Sequence, residues 1–467
     1  MLAICCSSLL IVGMDVTIVN VALPSIRSEF GASVAGLQWV VDSYAVVIAS
    51  LLILSGSTAD RVGRRRIFQT GLALFTLGSL LCSIAPSLGA LIGFRMLEAV
   101  GGSMLNPVAL SIISNVYTDA RERAKAIGLF AGVVGLSFGI GPVLGGLLVD
   151  TIGWRSIFWV NVPVGIAAIV LAARFVPESR APRARPIDPV GQVLLVVVLV
   201  SLVYAIIDLP RTDHPALVAG LFAVSAVGLA VFLRYEAGRE EPLIDLRFFR
   251  SVPFSGAAAT ALAAFGGFGA FLFLTTLYLQ NVRGLTPVHA GLMLLPMAVM
   301  IAVFAPISGR IVAARGPRIP LLVAGVGMLL GALPLTTLSA TTPLPALLGV
   351  FMLFGLGFGF VNSPITNAAV SGMPRAQSGV AAAIASTSRQ VGSALGVAIG
   401  GAVVASAGGD AVGADFAAAT HPGWWLVVGC EAAIVVLALA TTGSRARASA
   451  VAVADRLEEP VPARMGS

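Results

Sequence analysis

Lysine is nearly absent from this 467-residue chain; Lys125 is the only one. Charged residues of all kinds make up 11%, where a soluble globular protein carries about 25%. Hydrophobic residues make up 57%, and the mean hydropathy is +0.97. Such a chain cannot hide its apolar surface in one water-soluble core, so it reads as an integral membrane protein. The net charge of +7 does not imply nucleic acid, because the arginines sit in short turns between apolar segments. Cysteine is scarce as well. Cys5, Cys6, Cys82 and Cys430 all fall inside apolar segments, with no metal-site spacing and no Cys-rich loop, so they read as small hydrophobes. The three histidines, His214, His289 and His421, are scattered near loops and suggest no metal site. No Walker motif is present, which argues against ATP-driven work. Gly355, Gly357 and Gly359 resemble a nucleotide loop only superficially, since no strand precedes them and no phosphate-binding lysine follows. No convergent nucleophile, metal set or cofactor site points to an enzyme, and no soluble output domain points to a sensor. Met1 opens directly into an apolar run. A signal peptide would need a basic start and a cleavage site, so this run is read as a first span. Its abruptness is what a chain lacking an upstream stretch would show.

What is present is a series of long apolar runs. A spanning helix needs roughly 20 mostly apolar residues. By that measure the spans run at about 2–23, 38–57, 67–85, 89–114, 126–149, 156–175, 190–208, 215–233, 254–279, 290–309, 319–338, 345–370, 380–407 and 423–441. The fold class expected is therefore an all-α polytopic membrane protein of about fourteen helices; no segment alternates as a barrel strand would. With both ends in the cytoplasm, 23 of the 29 Arg and Lys residues fall in cytoplasmic loops and tail and only four in outer loops, as the positive-inside rule requires. Arg95 and Arg389 lie within spans. The stretch GSTADRVGRRR (Gly56–Arg66) recurs weakly as GRIVAARGPRI (Gly309–Ile319), with Gly63 on Gly316, Arg65 on Arg318 and Asp60 on Ala313. The natural parse is a duplicated transporter. It has a six-helix bundle over 1–175, a linker with two inserted helices over 176–253, a second six-helix bundle over 254–442, and a disordered cytoplasmic tail over 443–467.

MDVTIVNVALP (Met14–Pro24), GSTADRVGRRR, FRMLEAVGG (Phe94–Gly102), GIGPVLGG (Gly139–Gly146) and WRSIFWVNVPVG (Trp154–Gly165) together resemble the major facilitator superfamily, in particular its fourteen-helix drug:proton antiporter branch. YLQNVRGLTPVHAGLMLLP (Tyr278–Pro296) and STSRQVGSALGVA (Ser386–Ala398) resemble the same branch in the second half. The resemblance covers nearly the whole chain. It implies two bundles that rock about a central cavity in a bacterial cytoplasmic membrane. It also implies protons as the coupling ion, no cofactor, and export of small lipophilic or amphipathic molecules. A lipid bilayer is the one macroscopic partner; no nucleic acid or nucleotide is called for, and the chain is expected to act as a monomer. A dedicated exporter of an endogenous metabolite or lipid is the alternative, and a proton-coupled importer a weaker one.

Several residues stand out within this frame. Arg95 and Glu98 lie three apart inside the fourth span and share a helix face, which Gly102 and Asn106 continue. Charges at membrane depth are expensive and usually functional. Two readings stand: a structural pair, or proton coupling in which Glu98 takes and releases a proton while burial and Arg95 act on it in opposite senses. The resembled family carries the arginine for that purpose but usually has Gln where Glu98 stands. Asp15, with Thr17 and Asn20 nearby, should face a cavity; the resemblance associates an acid here with proton and substrate handling, and helix packing is the alternative. Asp42 sits near the outer end of the second span, where interfacial solvation and function are equal readings. In the opening motif, Arg64–Arg66 suit a positive-inside anchor. Gly56 would allow close helix approach and Gly63 a tight turn, and Asp60 could pair with Arg61, Arg64 or Arg121. By resemblance that motif gates the inner side. Gly128, Gly132, Gly135, Gly139, Pro142 and Gly146 fall on one face of the fifth span, which lets another helix approach, and Gly141-Pro142 should bend it. The resemblance ties this element, Gly145 included, to antiporters. In the second half, Arg389-Gln390 could bind an acidic group or satisfy backbone carbonyls. Glu431 reads as a helix contact.

Overall fold

In the computed structural model the described residues are 1–117, 119–181, 187–210, 214–239, 241–371, 373, 377–406 and 414–458, and among them there are helices and turns but no strands. The helices are α1 (Leu2–Phe30), α2 (Val34–Val62), α3 (Arg64–Ser83), α4 (Leu88–Val116), α5 (Ala120–Thr151), α6 (Ser156–Trp159), α7 (Asn161–Phe175), α8 (Pro189–Asp208) and α9 (Pro215–Ala237). They continue with α10 (Val252–Leu277), α11 (Pro287–Arg315), α12 (Arg318–Ala332), α13 (Leu344–Gly359), α14 (Asn362–Val370), α15 (Ser378–Ser406), α16 (Ala414–Thr441) and α17 (Ser444–Glu458). The last turn after α10 widens over Tyr278–Val282.

Short polar or glycine punctuation separates these apolar rods. Gly31, at φ 61°, ends α1 in the left-handed region. Ser33 and Ser87 start α2 and α4, their hydroxyls accepting the Gly36 and Ala90 backbone N–H groups at 3.2 Å. Gly63 (φ 132°) and Gly316 (φ 80°) make equivalent turns in the two halves of the repeat, positions where a Cβ would be strained.

Among the described residues, twelve helical rods are long and apolar enough to cross a membrane, against the fourteen expected. The remaining two are α5, of which only part is described, and α15. In α5 the described apolar stretch is Leu136–Thr151, and α15 carries the polar run Ser386–Gln390. One expectation changes at the C-terminus, where a disordered tail was expected after Thr442. Residues Ser444–Glu458 instead form α17, which buries Ala446, Ala450 and Val453. The Ser449 hydroxyl of α17 accepts the Val252 N–H at the start of α10. Alanine-rich sequence favours helix, and one small-residue face docks; residues 459–467 lie outside the described residues.

Packing follows the repeat. α1–α5 and α7 pack among themselves, as do α10–α16, and the two groups meet mainly where α5 lies on α11 and α2 on α15. Lipid offers helices no hydrophobic drive to associate, so close approach depends on small residues. The α8–α9 pair stands outside, with α8 lying on both α2 and α15 and α9 on α8. Val224, Val227 and Val231 on α9 are exposed, as a lipid-facing helix requires. The Gln192 amide of α8 donates to the Ser50 carbonyl of α2 at 2.5 Å.

Candidate functional site

Arg95, Asp15 and Glu98 converge deep between α1, α2 and α4, and all three are essentially without exposure. One guanidinium nitrogen of Arg95 donates to Asp15 at 2.5 Å and to Glu98 at 2.9 Å. Its Nε donates to the Val40 carbonyl at 3.3 Å, and its plane lies 4.2 Å from the Tyr44 ring centroid. Asn161, at the start of α7, donates to Asp15 at 3.4 Å and to the Ser79 hydroxyl at 3.0 Å. The i, i+3 spacing of Arg95 and Glu98 makes them meet; bringing Asp15 and Asn161 to them is the work of tertiary packing. Gly78 of α3 lies against the Glu98 backbone so closely that a Cβ there would sit 2.6 Å from Glu98 Cα. The second Glu98 oxygen is buried without a hydrogen-bond partner. One arginine balances one carboxylate, so the second is charge-balanced only when it carries a proton.

Beside this cluster lies a small cavity of about 20 Å³. Its walls include Asn20 and Val16 of α1, Tyr44 of α2, Arg95, Phe268 of α10, and Gln390 and Ser393 of α15. Asn20 joins it with its side-chain oxygen unpartnered and its amide on the Val16 carbonyl. Gly102 makes room for Tyr44, whose hydroxyl would lie 3.1 Å from a Cβ. Asn106 is half-buried and eleven residues beyond Arg95, about 16 Å along the helix, so it does not join the cluster. Asp42 corrects an expectation: it is fully buried, and neither carboxylate oxygen has a partner. It is therefore not solvated at an interface, because α2 begins at Val34, earlier than the apolar run alone suggests, and carries Asp42 inside the packed helix.

In the motif at the α2–α3 turn, Asp60 pairs with Arg64 at 2.8 Å. Arg61 is exposed, and the side chain of Arg121 lies outside the described residues. The turn is tied to the segment after α7. Arg64 N–H donates to the Ser179 carbonyl at 2.9 Å, Arg65 N–H to Glu178 at 3.1 Å, and Ala181 N–H to the Asp60 carbonyl at 3.0 Å. Arg66 lies 3.7 Å from Glu178. Glu178 was missed in the sequence; an acid just past a span, facing a basic turn, was the available signal. Gly63 is needed both for its φ and because a Cβ would meet Glu178 at 2.7 Å. Gly56 is not: a Cβ there would make an ordinary 3.8 Å contact with Pro107.

The glycines of α5 serve two faces rather than one. Gly139 and Gly146 lie against Ala298, Pro287 and Val288 of α11, and Gly291 of α11 answers against Pro142. Gly141 and Gly145 lie against Thr17 and Ile18 of α1. Gly132 faces open space, and the side-chain position of Gly135 lies outside the described residues. The helix runs on through Pro142. In the second half Gly355, Gly357 and Gly359 pack α13 against α11 and α12. Arg389 donates to Ser386 at 3.1 Å and Thr366 at 2.6 Å. Glu431 is fully buried, with both oxygens unpartnered, against Gly267 of α10. Among the described residues no three His, Cys, Asp or Glu side chains converge as metal ligands.

The end of the molecule holding the α1–α2 turn is closed. Gln38 donates to the Ala398 carbonyl at 2.7 Å, Gln280 to the Val21 carbonyl at 2.9 Å, and Val288 N–H to Asp150 at 3.3 Å. Each of these bonds joins one helix group to the other.

The sequence profile described as Major Facilitator Superfamily matches residues 5–397. The chain is 38% identical over 399 residues to the multidrug resistance protein Stp of Mycobacterium tuberculosis, covering 85% of this chain and 74% of that protein. It is 38% identical over 419 residues to the tetracenomycin C resistance and export protein of Streptomyces glaucescens, covering 88% and 77%. A crystal structure of a D-xylose-proton symporter superposes with a TM-score of 0.67 over 94% of this chain and 95% of that one, at 15% identity; this likeness concerns the fold.

Proposed function

The chain belongs to the Major Facilitator Superfamily, and from that premise we propose that it is a proton-driven exporter of small lipophilic or amphipathic molecules, antibiotics among them, working by alternating access. Relatives named for multidrug resistance and antibiotic export support this reading. The observation that carries it is the buried set of two carboxylates on one arginine, Asp15, Glu98 and Arg95. A cluster short of one positive charge is suited to hold one exchangeable proton, and Arg95 also reaches the cavity wall. Loss of the proton exposes a negative charge, which favours the arrangement of helices that can solvate it. Protons would thus enter from outside as substrate leaves.

The finer reading is the fourteen-helix drug:proton antiporter branch. In it 1–175 and 254–442 act as the two rocking bundles and 176–253 carries an inserted pair. Both termini face the cytoplasm of a bacterial cell, and the monomer is the working unit. Asp60, Arg61, Arg64 and the Gly63 turn form an inner gate element together with Glu178, and Gly139, Gly141, Pro142, Gly145 and Gly146 seal α5 against its neighbours. No cofactor enters. Expression in a pump-deficient bacterium tests the reading: accumulation of an exported antibiotic falls, and a protonophore restores it. Accumulation unchanged across a broad panel would favour a dedicated endogenous substrate.

A further inference from the structure

No carboxylate lines the cavity wall. Arg95 lines it, while Asp15 and Glu98, its partners, are not among the lining residues. One helical turn from Ser393 along α15, toward the end opposite the closed one, stands Arg389. It shares the helix stripe of the lining residues Ser393 and Val397. Its two hydrogen bonds go to neutral hydroxyls, those of Ser386 and Thr366. Its Nε is buried without a partner, and no ion pair from Arg389 to a carboxylate occurs among the described residues. Thr366 is exposed and Arg389 half-buried. Below it the packing is aromatic and buried: Arg389 lies 6.0 Å from the Phe265 ring centroid, Phe265 meets Phe358 edge-on at 5.3 Å, and Phe358 stacks on the cavity residue Phe268 at 4.0 Å.

A guanidinium inside a membrane protein is costly unless an anion or several acceptors answer it. Two hydroxyls satisfy part of its five donors. We infer that Arg389 recognises an acidic oxygen, a carboxylate or ionised phenol, on the substrate. The fork of donors suits a carboxylate. This names the substrate class for the exporter proposed above and rests on that reading only for the direction of transport.

Equilibrium binding to the purified full chain in neutral maltoside micelles tests it without any proton gradient. The probes are anthracene-2-carboxylate, the neutral 2-(hydroxymethyl)anthracene and the corresponding trimethylammonium derivative. The expected result is carboxylate binding about 10-fold or more tighter than ammonium binding, as a charge-assisted pair requires. Arg389→Gln should weaken the carboxylate about 10-fold and leave the neutral probe unchanged, which also reports a folded protein. Arg389→Lys should recover part of the loss. The inference is overturned if the ammonium probe binds as well as the carboxylate, if Arg389→Gln leaves carboxylate affinity intact, or if no probe binds beyond empty micelles. Carboxylate binding as expected in a chain that moves nothing would instead defeat the exporter reading.

Discussion

Arg95 is the residue on which the site depends. It is buried with two carboxylates, and removing it would leave both without a cation. Breaking a buried pair by removing one partner costs about 3–5 kcal/mol. Arg95→Met should therefore lower the thermal midpoint of the purified protein well below that of the parent. Adding Asp15→Asn and Glu98→Gln should return much of the loss, and a double-mutant analysis of thermal midpoints checks it. No recovery would mean that Arg95 acts through packing on Tyr44 rather than through charge. The sequence showed Arg95 and Glu98 as partners because three residues on a helix place side chains together. It showed Asp15 only as a lone acid, because its link to Arg95 crosses 80 positions. Glu178 reaches the α2–α3 turn across 113 positions, and Asp42 is buried because α2 starts at Val34, before the apolar run.

At the scale of elements, the α2–α3 turn separates two glycines that look alike in sequence. Gly63 holds φ 132° against Glu178, and Gly56 has ordinary room beside Pro107. Gly63→Ala should cost about 1–3 kcal/mol through backbone strain, while Gly56→Ala should stay within about 0.5 kcal/mol. Thermal unfolding in detergent distinguishes them; equal effects would contradict the geometry. The rods were legible from hydropathy and the turns from glycine and serine, and Gly63 and Gly316 made the repeat visible. The division of the α5 glycines between α1 and α11 was not, since a one-face stripe accounts for Gly139 and Gly146 but not for Gly141 and Gly145. Helix α17 was also missed: Arg445, Arg447, Asp455, Arg456 and Glu458 make it too charged to read as a span, and only the contact with α10 shows its docked face.

At the scale of the whole molecule, alternating access requires the closed end to open. Gln38 and Gly401 touch across the two helix groups, so Gln38→Cys with Gly401→Cys should cross-link on oxidation and stop transport, with reduction restoring it. Cys5, Cys6 and Cys82 are buried and Cys430 half-buried, so the introduced pair should react first. Uninterrupted transport in the cross-linked protein would contradict movement at this end.

The most direct test of proton coupling uses inside-out vesicles with an acidic interior and a pH-sensitive dye. Adding an exported compound should discharge the gradient through the parent protein. Asp15→Asn and Glu98→Gln, present in the membrane at parental level, should abolish that discharge while still binding the compound. Discharge at the parental rate in both variants would contradict the central claim that the buried Asp15–Arg95–Glu98 set carries the proton.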